Sequence, residues 1–268
     1  MHPLSHSLAV VRAANPYYDI TLTAQPRGAR LAQWTGNDPT VWQQRLAAQR
    51  RGLPEAAETT ITAAFVQAYC WPVLVGPVAC WVLCRRVPSL DPATTAIRDE
   101  RGIPAALELG SGRFTCLPDD HAATHSDATV VATPAALAAA LHHEIVAHCR
   151  PVVAFLVTQS RLSDASLWML VADTLAGIIT RIHDAHQPLP PAALATVVAA
   201  VCHAAGSPLV LPHYAVATAG TRVMHRRLSC CFWHKRPGGG VCANCPRRSP
   251  ADQDRAVAAV FAAGSGRR

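Results

Sequence analysis

The longest apolar stretch of the chain runs from Thr59 to Cys84, and no charged side chain interrupts it. Its length is within reach of a membrane span. Pro72, Gly76 and Pro77 punctuate it, and Thr60, Thr62 and Gln67 dilute it, so the pattern predicts two buried helices, over about 55–69 and 73–84. Upstream, residues 38–51 predict an Arg-rich helix, with Asn37 or Asp38 as its cap, Pro39 in its first turn and Gly52-Leu53-Pro54 as its stop. Residues 92–118 change period. The short runs Thr94–Arg98, Ala106–Leu109 and Arg113–Leu117, separated by Asp99–Gly102 and Gly110–Gly112, predict a small antiparallel meander.

Helical patterning then returns. Thr133-Pro134 caps a helix to about Cys149, and Arg150-Pro151 breaks it and begins another to about Gln159. Ser163-Asp164 opens a third, to about Ala185, and Pro191–Ala205 forms a fourth. Gly206–Ala219 has no clear period, and Leu209-Val210-Leu211 reads as a short buried strand or a coil. A last amphipathic helix covers about 251–263, capped by Ser249 with Pro250 at its first position, before a frayed tail from Gly264. The fold class is α+β and helix-dominated: a helical body, a small antiparallel β meander and a C-terminal cysteine-rich loop. The divisions are an N-terminal helical part, 1–91, the meander, 92–118, a C-terminal helical body, 119–219, and the cysteine-bearing segment, 220–268.

Half of the 268 residues are apolar, enough for a sizeable core. His2, Pro3 and His6 stand where a secretory leader would need a charged start and an apolar run, so a cytoplasmic protein is expected, with peripheral contact at the inner membrane face as a variant of that reading. Such a compartment keeps thiols reduced, and clustered cysteines there read as metal ligands or redox groups before disulfides. Cys70, Cys80, Cys84, Cys116, Cys149 and Cys202 are scattered, mostly among apolar neighbours, and read as core.

Charge sharpens the picture near the C-terminus. The net charge is +7, and no Asp or Glu occurs between Asp184 and Asp252. That interval holds Arg222, Arg226, Arg227, Lys235, Arg236, Arg247 and Arg248, which account for the whole excess. A basic stripe suits nucleic acid, an anionic cluster, or an anionic ligand or redox partner.

Inside the stripe lie Cys230, Cys231, Cys242 and Cys245, spaced C-C-x10-C-x2-C. Four thiolates suit a tetrahedral zinc or an iron–sulfur cluster. Adjacent cysteines point to opposite sides of an extended chain, so serving one ion requires a kinked backbone, whereas two irons are easier to serve. Iron–sulfur leads on these grounds, with zinc as the alternative and a site without metal behind both. Gly238–Gly240 lets main-chain N–H groups approach sulfur. Phe232 and Trp233 either anchor the loop or shield a metal, and His234, Lys235 and Arg236 are solvated or line the approach to it. His142-His143-Glu144 with His148 lacks the i, i+4 histidine spacing of a zinc protease helix. Asp173 is the only charge between Ala165 and Thr180, and reads as solvent-facing or paired with an arginine, with a role beneath the cysteines as a further reading. No phosphate loop, dinucleotide fingerprint or Ser-His-Asp spacing occurs, so reducing electrons would come from outside the chain.

The run from Arg226 to Pro246, with its two cysteine pairs, its Pro-Gly-Gly-Gly turn and the proline after the last cysteine, resembles the C-terminal signature of the FhuF-like ferric-siderophore reductases. Weaker similarity extends upstream through His148-Cys149-Arg150-Pro151 and through Leu167-Trp168 to Ala172-Asp173, and the resemblance covers about residues 40–263. Phe232-Trp233-His234 is a local variant of the family pattern. The resemblance implies a [2Fe–2S] cluster on Cys230, Cys231, Cys242 and Cys245, and an oxidoreductase that reduces siderophore-bound Fe(III) to Fe(II) and so releases iron. It implies a ferric siderophore as substrate and an external donor such as a ferredoxin or flavin reductase, with no nucleic acid expected. Arg226, Arg227, Trp233, His234, Lys235 and Arg236 would dock substrate or partner. The alternatives are a zinc-stabilised binding module with a basic face, an electron-transfer protein with a protein acceptor, and a siderophore-binding or biosynthetic helper.

Overall fold

The computed structural model describes residues 1–30, 40–204, 206–235 and 238–264. Among these are seven α-helices: α1 (Pro3–Ala14), α2 (Thr40–Gly52), α3 (Glu58–Cys84), α4 (Pro134–Gln159), α5 (Asp164–His186), α6 (Pro191–Cys202) and α7 (Pro250–Gly264). The expected cap of α2 at Asn37 or Asp38 lies outside the described residues. Thr133 and Ser163 cap α4 and α5, their hydroxyls accepting from the Ala136 and Ser166 amides.

Helix α3 is the axis of the body. It packs against α1, α2 and α5, and buries Phe65, Tyr69, Val73, Leu74 and Val78 completely or nearly so. The break expected at Pro72–Pro77 does not occur: both prolines sit inside one continuous helix, as Pro151 sits inside α4. Each proline removes one main-chain hydrogen bond, but the surrounding body covers the helix on most sides and outweighs that local cost. Both α3 and α5 are long and apolar enough to cross a membrane, yet 72% and 67% of their apolar windows are packed inside the protein, as for core helices.

Strands are short and more numerous than the pattern suggested. β4 (Thr95–Glu100) and β5 (Ile103–Leu109) form the expected antiparallel hairpin, closed by Arg101 and Gly102 at φ 56° and 81°, the signs of a type I′ turn. The third run does not continue this meander. Phe114–Cys116 is β6 of a separate sheet, antiparallel to β3 (Arg86–Pro88) and parallel to β7 (Ala128–Val130). The first sheet is completed by β1 (Ile20–Leu22), parallel to β5, and β2 (Ala29–Arg30), antiparallel to β4. Short polar connections at Gly110–Gly112 hid this change of partner, because pairing between distant segments leaves no local pattern.

Sheet and axis meet at Gly76 of α3. A Cβ there would lie 2.6 Å from Ile20 Cβ on β1. Gly76→Ala is therefore expected to lose about 1–3 kcal/mol through overpacking, against a helix-propensity gain of about 1 kcal/mol. Urea unfolding measures the difference, and a stabilised variant would contradict this seating of β1.

Helix α1, which no sequence signal marked, is fastened over its N-terminal half. Buried Arg86 reaches Asp120 at 2.7 and 2.5 Å, the Pro3 carbonyl at 2.8 Å and Ser7 Oγ at 3.0 Å. At the N-cap, His2 Nδ1 accepts the Leu4 amide while Nε2 faces Asp127 at 2.9 Å, and His125 Nδ1 accepts the Asp127 amide. Both imidazoles thus carry their proton on Nε2. His2, His125 and Asp127 form a hydrogen-bonded staple rather than a set of free ligand atoms.

Candidate metal centre

One hairpin and one buried carboxylate set the path of the chain into the cysteines. β8 (Val216–Ala219) and β9 (Arg222–His225) pair antiparallel, with Gly220 at φ 62° opening the turn. The stretch Gly206–Ala219, which has no clear period, therefore ends in a strand, and of the two readings of Leu209–Leu211 the coil holds, with Leu209 and Leu211 buried. β9 packs on α5, and its last residue meets Asp173 there. His225 Nε2 lies 2.8 Å from Asp173 Oδ1. The same carboxylate accepts the Leu228 and Ser229 amides at 2.9 Å each, Ser229 Oγ at 2.5 Å and Arg227 Nε at 3.3 Å. Every donor comes from residues 225–229, immediately before Cys230.

Asp173 is fully buried, so the solvent-facing reading of it fails, and the arginine pairing is one contact of several. Burial pushes its carboxyl up, but the hydrogen bond and charge of His225, with the Ser229 hydroxyl and the Leu228 amide, hold it below its ordinary value. Tyr214 stacks on the His225 ring, centroids 5.3 Å apart, and its hydroxyl meets Thr180 Oγ1 at 2.6 Å.

Asn244, inside the second cysteine pair, ties that pair to the residues that lead into the first. Its side-chain amide donates to the His225 carbonyl at 2.9 Å, and its own carbonyl accepts the Arg227 amide at 3.1 Å. A turn closes from the Cys245 amide to the Cys242 carbonyl at 3.2 Å. Arg248 clamps this turn from outside, its guanidinium donating to the carbonyls of Cys242 and Val241 at 2.9 and 3.0 Å. Gln253 of α7 donates to the Cys245 carbonyl at 2.7 Å. Ser249 caps α7, accepting the Asp252 amide, so the helix that follows the motif is anchored to it.

The sulfurs meet across the two pairs. Cys231 Sγ and Cys242 Sγ lie 3.9 Å apart. Two thiolates on one tetrahedral metal, with bonds of about 2.3 Å, sit about 3.8 Å apart. The kink that adjacent cysteines require is present: Phe232 has φ 56°, a left-handed conformation unusual for a side chain of its size. Its amide approaches Cys230 Sγ at 3.4 Å, and His234 Nδ1 is 3.9 Å from that sulfur. The Cys242 thiol, a backbone N–H of Trp233 and the charge of Arg227 lower Cys231 to about 5 against the effect of burial, whereas its partner Cys242 is raised. Among the described residues no three cysteine sulfurs converge within 4.8 Å of one another. The donor set and its spacing fit a [2Fe–2S] cluster.

The residues singled out as docking groups divide. Arg226 is committed to the Val216 and Pro250 carbonyls, Gln253 Oε1 and Asp254. It clamps β8 to α7 and is not an open cation. Arg227 bridges Asp173 and Gln67 Oε1 beneath the loop. Trp233 is 38% exposed, whereas Phe232 packs against the core and anchors the loop. Lys235 lies over the Phe232 ring at 5.1 Å, and Arg236 lies outside the described residues. Sequence reading missed His225, Asn244, Arg248 and Gln253. The local signal was an amide side chain inside the C-x2-C turn, but partners on α5 and α7 are invisible to spacing.

His142 and His148 place Nδ1 on the carbonyls of Val201 and Leu90, at 2.6 and 3.0 Å. Glu144 accepts the Leu90 amide at 2.6 Å. They pack α4 against its neighbours, and burial lowers His148 to about 4. Five of the six scattered cysteines are buried, and Cys84 is half-buried.

Two recesses flank the cysteine segment. The larger, about 610 Å³, is lined by Arg181, Arg222, Arg227, Trp71, Phe261 and the loop residue Asn244, among others. The smaller, about 320 Å³, reaches Cys230 and is lined by Leu162, Met169, Leu170, Leu228 and Phe232.

Residues 63–210 match the family model for the ferric iron reductase FhuF-like transporter, and residues 227–247 match the model for the FhuF 2Fe-2S C-terminal domain. No curated protein matches the chain. The first match alone spans more than half of the sequence and contains α4, α5 and Asp173, and the second contains all four cysteines of the motif. The chain therefore belongs to the FhuF-like ferric iron reductase family and carries that family's [2Fe–2S] C-terminal domain.

Proposed function

We propose that the protein delivers single electrons to Fe(III) held in a siderophore, with Cys230, Cys231, Cys242 and Cys245 as the cluster ligands. The observation that carries this reading is the meeting of Cys231 and Cys242 at 3.9 Å on a loop bordered by a 610 Å³ recess. Bound there, a [2Fe–2S] cluster supplies a one-electron carrier. The chain's own residues do the rest. Asp173, Asn244, Arg248 and Gln253 hold the two cysteine pairs in register. The Phe232 amide on Cys230 and the nearby charges of Arg227 and Arg248 stabilise negative charge on the sulfurs and favour the reduced state.

Substrate chemistry needs no acid or base from the protein. Siderophores bind hard Fe(III) through oxygen donors, and Fe(II) is held far more weakly, so one electron suffices to free the metal. No dinucleotide motif occurs in the sequence, so the electron comes from a separate donor such as a ferredoxin or flavin reductase. The reading places the protein in a reducing, cytoplasmic setting, which keeps thiols available as ligands.

Anaerobic purification with iron, zinc and acid-labile sulfide counts tests the ligand set. The expected result is about two irons and two sulfides per chain, with a visible spectrum that dithionite bleaches and that a ferric siderophore restores. One zinc and no sulfide would overturn it in favour of a structural zinc module.

A further inference from the structure

The recess beside the loop carries a charge selection that the reductase reading alone does not contain. Its wall includes Ala243 and Asn244, between the last two cysteines, so a molecule seated there touches the motif itself. Three arginines face it, against two carboxylates. The carboxylates are both turned inward: Asp173 has no exposed side chain, and Asp184 is 6% exposed. Asp173 is occupied by His225, Arg227 and the amides before Cys230. Asp184 holds Arg222 at 2.7 Å and the Val223 amide at 3.0 Å. Arg181 has no ion pair among the described residues and lies over the Trp71 ring at 5.2 Å. The charged groups offered to solvent are therefore guanidinium, beside the Trp71 ring. Arg222 lies likewise over Phe261, at 4.5 Å. The smaller recess at Cys230 has no charged lining residue.

We infer that the arginine-lined recess is the substrate seat and that it selects ferric chelates of net negative charge. Oxygen-ligand chelates differ sharply in this respect. Three catecholate dianions around Fe(III) leave a trianion, whereas three hydroxamate monoanions leave a neutral complex. Planar catecholate rings also match stacked guanidinium and indole faces. The volume, about 610 Å³, is in the usual range for small-molecule sites, about 300–1,000 Å³. This inference rests on the proposed reduction of siderophore iron, but it concerns binding and can fail separately.

Gallium(III) separates the two, because it has the charge and ligand preferences of Fe(III) and accepts no electron under these conditions. Calorimetric titration of the holoprotein with gallium tris-catecholate and with gallium tris-hydroxamate reads binding alone. The expected result is at least about tenfold tighter binding of the trianion, an advantage that shrinks as salt rises. Arg181→Glu should weaken the trianion by at least about tenfold and leave the neutral complex unchanged, with the visible spectrum of the cluster intact as proof of folding. Equal affinity for the two complexes, or no response to Arg181→Glu, would overturn the assignment of this recess. Tight gallium binding with no reoxidation of the dithionite-reduced protein by the ferric counterpart would instead overturn the reductase reading and leave the anion seat standing.

Discussion

Cys242→Ser is expected to abolish the visible spectrum and the acid-labile sulfide of the purified protein, and to reduce ferric-chelate turnover to background. Changing a partner outside the metal's own ligands typically costs about 10–100-fold in metal affinity or activity, and loss of a ligand exceeds that. The choice of Cys242 follows from geometry: its sulfur is the one that meets a sulfur of the other pair, at 3.9 Å. Cys84→Ser is the matched control. Its thiol is lowered to about 7, chiefly by the Cys80 thiol, and lies near the Ser7 carbonyl of α1, 3.8 Å away. It should keep full sulfide content. Equal loss from both variants would refute the ligand assignment.

Asp173→Ala tests the support beneath the cysteines. It removes the acceptor for His225, Arg227, Ser229 Oγ and two backbone amides at once. Removing one partner from a buried charged set costs about 3–5 kcal/mol, a large fraction of the total stability of a typical domain, about 5–15 kcal/mol. Cluster content per chain should fall several-fold, with the overall helix content retained by far-ultraviolet circular dichroism. Asp173→Asn keeps the shape and separates charge from packing. The native carboxyl is held below its ordinary value, so its stabilisation is fully present above about pH 4, the ordinary range. It is lost as pH falls from there through the lowered value. The stability gap between the native protein and Asp173→Asn should therefore be constant above that range and shrink below it. A gap that grows on acidification would show that the carboxyl is not the stabilising form.

The folded state also reorganises the basic stripe. Read along the chain, Arg222, Arg226 and Arg227 stand in an interval without acids. In three dimensions each meets a carboxylate from outside it: Asp184, Asp254 and Asp173. The excess that remains is carried by residues such as Arg181, which lies outside the stripe, and Lys235. A surface argument from local composition would have placed the substrate on Arg226, whose guanidinium is fully engaged.

What the sequence by itself determined was the chemistry and its local scaffolding. Four thiols at C-C-x10-C-x2-C spacing, caps at Thr133, Ser163 and Ser249, and a hairpin turn within Asp99–Gly102 were all legible, because ligand type, capping and turn geometry depend on residues within a few positions. Tertiary structure alone decided which residues hold that chemistry in place. Asp173 lies more than fifty residues from the amides it accepts, and its role is created by the packing of α5 against β9. Pro72, Pro77 and Pro151 predicted breaks that burial overrode, since a covered helix draws more from its packing than one lost hydrogen bond removes. The third run of the expected meander changed sheets for the same reason. Strand partners are chosen by distant surfaces, and only the folded chain brings those surfaces together.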